Sequence, residues 1–227
     1  ERLGPMHSET LKLEFRLAEA LVNTGRAEEG DGLLRSVLER AQEVYAEGHP
    51  DFTGMQRMAV GVLIAAGSAD HAVGVAETAA VAAEAEYGEQ SIPHTSAEQE
   101  VGKALLAAGR AEEAAAVFER VLPERERQWG PNHAQVGYTL RFLAGAYLEM
   151  NRAEEALELA TRAVGIHPAT APSHYWAAIT RARALAALDR VDEAGALLGD
   201  LERQATAAGA WESVLEPIRA AASELGF

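Results

Sequence analysis

One short phrase, repeated at a nearly constant step, limits what this chain can fold into more than any other feature. Gly109-Arg110-Ala111-Glu112-Glu113-Ala114 has four near-copies. They are Gly25-Arg26-Ala27-Glu28-Glu29, Gly67-Ser68-Ala69-Asp70-His71-Ala72, Asn151-Arg152-Ala153-Glu154-Glu155-Ala156 and Asp189-Arg190-Val191-Asp192-Glu193-Ala194. The steps from copy to copy are 42, 42, 42 and 38 residues. A period of this length marks a stacked-repeat protein, in which each unit buries its apolar face against its neighbours. The phrase itself predicts a helix–turn–helix joint. Gly or Asn ends one helix in left-handed backbone, which a Cβ resists. The acidic pair that follows suits the positive N-terminal end of the next helix.

A second element recurs between the joints. Leu3-Gly4-Pro5-Met6-His7-Ser8-Glu9-Thr10 returns as Gly48-His49-Pro50-Asp51 and as Gly130-Pro131-Asn132-His133. Aromatic residues precede the later loops in the same rhythm, at Tyr45, Tyr87 and Trp129. Each unit is therefore predicted as loop, helix, short turn, longer helix. The first helices are expected at about 8–24, 53–66, 94–108, 132–149 and 173–188, and the second at about 27–47, 69–87, 111–129, 153–166 and 191–208. A last helix near 210–225 caps the stack, with Pro217 as a kink or late start. Helical spacing supports this, since Leu140, Leu143 and Tyr147 share one face, as do Leu157, Ala160 and Val164.

Composition narrows the function classes. There is no cysteine, so neither disulfides nor thiol chemistry are available, which fits a cytoplasmic protein. No apolar run approaches the roughly 18 residues of a membrane span, and no signal peptide is visible. The net charge of −15 argues against nucleic acid or an anionic membrane as partner. His7, His49 and His133 recur in repeat phase at loops, too far apart to share an ion, so they predict a structural loop role and no metal. His167 and His174 flank a Pro-containing loop and are expected at the surface. Paired carboxylates such as Glu112 and Glu113 recur at each joint, which marks helix starts rather than an acid/base dyad. Glu124-Arg125-Glu126-Arg127 is expected to be a solvated helix end. With no phosphate loop, nucleophile elbow or Cys nucleophile, neither catalysis nor a cofactor is expected.

The pattern resembles the tetratricopeptide repeat, in the 42-residue form typical of kinesin light chains and bacterial relatives, across almost the whole chain. The fourth repeat carries the resemblance best. Leu143, Ala144 and Tyr147 match the family's large, small and aromatic positions of the first helix; Ala156, Ala163 and Pro168 match the small residues and terminal Pro of the second. The second repeat departs with Val60 at a usual Gly/Ala position and glycines at 54, 61, 67 and 74; the first has Gly30 for Ala, and the fifth Arg181 for Leu. The resemblance implies an all-α, right-handed α-solenoid with repeats at about 8–49, 53–90, 94–131, 132–168 and 173–208, plus the cap at 210–225. It also implies that the chain begins inside a longer array. Bacterial relatives attach such arrays to kinase or signalling ATPase domains.

Charge separates the two helix sets. By the expected limits, the second helices together carry −15 and the first helices are nearly neutral. The resemblance places first helices on the concave face. Its groove-facing positions carry Lys12, Arg57, Lys103, Arg141 and Arg183, with Phe15, Leu106, Tyr138, Leu148, Trp176 and Ile179 among them. A cationic groove with aromatic relief suits an extended segment bearing carboxylates. The expected function is a non-catalytic module that binds a peptide or partner protein, acidic ones included, in the groove. The alternative is a regulatory or oligomerising arm of a larger signalling protein.

Overall fold

A computed structural model describes residues 4–45, 49–209 and 212–227. Leu3 and Gly48 of the loop motifs, the expected end of the second helix at 46–47 and the expected start of the last helix at 210 lie outside these residues. The described residues form eleven helices: α1 Ser8–Asn23, α2 Ala27–Val44, α3 Pro50–Ala65, α4 Ala69–Tyr87, α5 Ile92–Ala107, α6 Ala111–Trp129, α7 Ala134–Glu149, α8 Ala153–Ile166, α9 Pro172–Ala187, α10 Val191–Ala207 and α11 Glu212–Glu224. The architecture is an all-α repeat solenoid. Its contacts fall into two compact units, Glu1–Arg110 and Ala111–Phe227.

Every joint phrase closes a first helix in the same way. Gly25, Gly67, Gly109, Asn151 and Asp189 all have positive φ. The residue after each donates its N–H five positions back: Arg26 to Leu21, Ser68 to Leu63, Arg110 to Leu105, Arg152 to Tyr147 and Arg190 to Leu185, at 2.8–3.0 Å. This is the Schellman closure, which satisfies carbonyls that the helix end leaves open. The arginine then clamps the second acid of the phrase. Arg26 pairs with Glu29, Arg152 with Glu155 and Arg190 with Glu193 through two bonds each.

The loop histidines start the first helices. Nδ1 of His7, His49 and His133 accepts the backbone N–H of Glu9, Asp51 and Gln135, each at 3.2 Å. Their structural role is therefore N-capping. Tyr45 and Trp129 pack their rings on the capping imidazoles of His49 and His133 at 4.9 and 4.7 Å. In the third unit Ser91 takes the capping position and its Oγ accepts from His94 N at 3.2 Å. These caps move helix starts from their expected places. α3 begins at Pro50 rather than 53 and α5 at Ile92 rather than 94, because each carries a proline in its first turn, where a missing N–H costs nothing. α7 starts two residues later than expected, with His133 outside it. Pro217 lies inside α11 and does not delay its start.

In the first unit, Leu11, Phe15 and Ala18 of α1 and Leu34, Val37 and Ala41 of α2 are buried stripes. Gly30 marks the closest approach, since a Cβ there would lie 2.5 Å from Val22 Cγ2 and 2.8 Å from Ala18 O. The equivalent Ala72 tolerates its methyl at 0% exposure. In the second unit, Leu140, Leu143 and Tyr147 of α7 are buried, as are Ala156, Ala160 and Ala163 of α8. α11 lays Leu215, Ile218 and Ala221 over a cluster that includes Tyr175, Ile179, Leu198 and Leu201. Burying a side chain such as Ile218 contributes about 1.5–3 kcal/mol.

Layering within each unit is uneven. α1 packs on α3 and α3 on α5, and in the other unit α7 packs on α9 and α9 on α11. Second helices stand further apart: α2 and α4 meet through the side chains of Asp31 and His71, 3.8 Å apart. Within each unit first helices thus form a layer, and each second helix sits between two neighbours, as α4 does between α3 and α5 and α8 between α7 and α9.

Candidate functional site

The first helices carry the predicted recognition residues, and the structure sorts them by environment. On the first unit, Lys12 is exposed and bridges Glu9 of α1 (3.5 Å) and Asp51 of α3 (3.6 Å). Those carboxylates, Asp51 foremost, raise its pKa. Arg57 is exposed and makes no ion pair among the described residues. Lys103 is held by Glu100 at 2.6 Å. Leu106 is half-buried. Phe15, expected in the groove, is instead a core residue at 3% exposure. Its repeat position is the one that meets the next first helix. An apolar side chain there turns inward, and Gln99, 84 residues on, is buried too. Arg57, at the same position, has the length to reach solvent.

The second unit holds the more unusual arrangement. Contrary to the expected groove exposure, Arg141 is half-buried and its Nε has no hydrogen-bond partner. Its guanidinium carbon sits 3.9 Å above the Phe142 ring. Burial, opposed only weakly by Tyr138, pulls its pKa down to about 10. No carboxylate enters that balance. Tyr138, one turn earlier, is exposed, and its ring lies 5.1 Å from that of His167. His167 overturns the surface expectation, since it is 4% exposed. Its Nδ1 meets Ser173 Oγ at 3.0 Å, and its backbone oxygen meets His174 Nδ1 at 3.3 Å. Burial lowers the His167 pKa, Arg141 and His174 lower it further, and the Gly137 backbone partly opposes them. Small Gly137 is the signal in the sequence that space is reserved here.

The other positions divide the same way. Ile179 is 2% exposed and belongs to the core, not the groove, for the reason given for Phe15. Leu148 is half-buried. Arg183 is exposed but committed to Glu224 of α11 at 2.7 Å. Trp176, 42% exposed, lines a cavity of about 560 Å3 with Pro172, Tyr175, Gly209 and Val214. So Tyr138, Arg141 and His167 come together, Trp176 stands at its own cavity, and most remaining cations already have acids. Arg125 also departs from expectation, being 4% exposed and bonded to the Gln135 carbonyl at 3.2 Å rather than solvated.

A half-dehydrated guanidinium beside aromatic rings, with no acid against it, is suited to take an anionic group. Among the described residues no three His, Asp or Glu side chains converge on a metal site, and no helix is long and apolar enough to cross a membrane.

Two tetratricopeptide repeat family models match the sequence, over residues 94–169 and 16–51. No curated protein matches it. Among solved structures, a variant form of a Podosopora anserina kinesin light chain with nearly identical TPR-like repeats is 21% identical, with a TM-score of 0.71 over 92% of this chain and 99% of that one. BtubC (BKLC) from P. vanneervenii is 19% identical, with a TM-score of 0.68 over 90% of this chain and 83% of its own. The apo form of RapI is 12% identical at a TM-score of 0.68, over 95% and 82%. These likenesses establish the fold.

Proposed function

We propose that this chain, two stretches of which match tetratricopeptide repeat models, is a non-catalytic protein-interaction module whose first-helix face receives an extended, carboxylate-bearing segment of a partner. The observation that carries this reading is Arg141. Its guanidinium has given up part of its hydration without gaining an acid. A ligand carboxylate would supply that acid in a two-pronged geometry that lysine cannot offer. Tyr138 beside it, and Trp176 at its own cavity on α9, offer exposed aromatic surface on the same unit, the residue types that dominate peptide anchoring.

The test uses fluorescence anisotropy with labelled acidic peptides interleaved with Leu and Tyr, and amide counterparts in which Gln and Asn replace Glu and Asp. Binding of the acidic peptides is expected at about micromolar Kd, or −8 kcal/mol. Arg141→Gln is expected to weaken it by about 10-fold or more, with helicity unchanged by circular dichroism. Arg203→Gln on α10, an exposed residue paired with Asp200 of the same helix, is the control. Arg40 is unsuitable as one, because it bonds Glu14 of α1 and the Pro5 carbonyl. Equal binding of acidic and amide peptides, or an indifferent Arg141→Gln, rejects the reading.

A further inference from the structure

The Arg141 site has a floor as well as a rim. Gly137 and Arg141 stand one turn apart on α7, so they face the same side, with side-chain origins about 5–6 Å apart. His167 fills the place beside Gly137, its Nε2 2.6 Å from where a Cβ would stand. The buried imidazole therefore lies against the foot of Arg141. Tyr138 leans over it, with 5.1 Å between ring centres. Ser173 Oγ meets Nδ1 at 3.0 Å, and His174 bonds the His167 carbonyl. The Gly137 backbone is near Nε2 but makes no formed hydrogen bond to it. The titratable groups that face this ring are Arg141 and Tyr138 from α7 and His174 from α9. Among the described residues no carboxylate enters the balance, and neither α6 nor α8 brings an ionised group to it.

We propose that His167 couples capture of a carboxylate at Arg141 to uptake of a proton, so that the partner is held more tightly in mildly acid solution than at neutral pH. The coupling rests on the Arg141 reading and supplies its regulation. In the empty site a proton must enter a buried ring beside a guanidinium that no acid balances. Burial and then the like charge both oppose it, which holds the His167 pKa below its ordinary value and the ring neutral at pH 7. A ligand carboxylate against Arg141 cancels the like charge, so the imidazolium costs less and the ring takes a proton more readily. Linkage makes the effect mutual: what the anion adds to proton affinity, the proton adds to anion affinity. The gain therefore appears as pH falls below about 6.5 and levels off once the empty site is protonated too. The acids of the ligand, with pKa values near about 4, stay ionised through this range.

The test follows the His167 ring of the full chain by NMR through a pH titration, alone, with an acidic peptide in excess, and with its Gln and Asn amide counterpart at the same concentration. The ring pKa is expected to rise with the acidic peptide and to stay where it is with the amide one. In parallel, fluorescence anisotropy between about pH 7.5 and 5.5 is expected to show the Kd of the acidic peptide falling about threefold or more. His167→Gln is expected to remove most of that fall, and His174→Gln to keep it. A ring pKa indifferent to the acidic peptide, or a fall in Kd that survives unaltered in His167→Gln, overturns the proposal. If acidic peptides bind through Arg141 and neither readout moves, the coupling alone fails and the Arg141 reading stands. If no acidic peptide binds at any pH, both fall together.

Discussion

The Nε2 of His167 lies 2.6 Å from the point that a Cβ on Gly137 would occupy. The imidazole fills the room that glycine leaves, and Tyr138 covers it from the adjoining position. Gly137→Ala is therefore expected to destabilise the second unit by about 1–3 kcal/mol, despite the better helix propensity of alanine. Denaturant unfolding checks this. An unchanged midpoint would show that His167 can swing away at no cost.

Protonation of the same imidazole links stability to pH. Its folded pKa is depressed below the ordinary 6.5 by burial, with Arg141 and His174 adding to it. Below about pH 6.5 the unfolded chain takes up the proton first, so stability falls as pH drops towards the folded value and levels off beneath it. His71 acts with the same sign. In His167→Gln, the loss between about pH 6.5 and 5 is expected to be shallower than in the parent, though not absent. Thermal melts across that range decide the matter, and parallel curves for the two proteins would refute it.

Glycines are expected to make the second repeat the weak part of its unit. Gly61 is exposed inside α3, and a Cβ there meets no atom within 4 Å. Gly61→Ala is expected to stabilise by about 0.5–1 kcal/mol. Residues 53–75 are expected to exchange amide hydrogens faster than the interior of α7 and α8. Slower exchange in that segment would contradict the expectation.

His133 caps α7 and stacks on Trp129 at 4.7 Å. His133→Ala is expected to cost about 0.5–2 kcal/mol, and His133→Asn to recover most of it, because asparagine caps as well. Urea midpoints for the two variants distinguish the cap from the stack. If asparagine recovers nothing, the ring contact with Trp129 is the larger contribution.

The sequence made the architecture legible because its punctuation is local. Left-handed Gly, Asn or Asp, an arginine–glutamate clamp and a capping histidine each act within a few residues, so one phrase announces one joint. The face of a side chain was less accessible. Phe15, Arg57, Gln99, Arg141 and Ile179 occupy one repeat position, yet their fates run from core to solvent. Side-chain length and polarity decide, together with what the next helix presents. Ion pairing was similarly hidden. The link from Arg183 to Glu224 spans 41 positions and depends on how α11 docks. The burial of His167 depends on a missing methyl at Gly137, thirty residues away in the chain.

The uneven layering of the helices has a mechanical consequence. In the first unit α1, α3 and α5 pack closely, while α2 and α4 stand further apart and meet through the side chains of Asp31 and His71. Such a body resists stretching along its packed layer but flexes like a leaf spring, with the gap over α3 opening or closing as it bends. The soft direction of the unit is therefore expected to run through the cavity of about 300 Å3 between α2 and α4 that Gln56 lines. A side chain wedged there would act as a spacer, setting curvature on the far side of the layer without touching it.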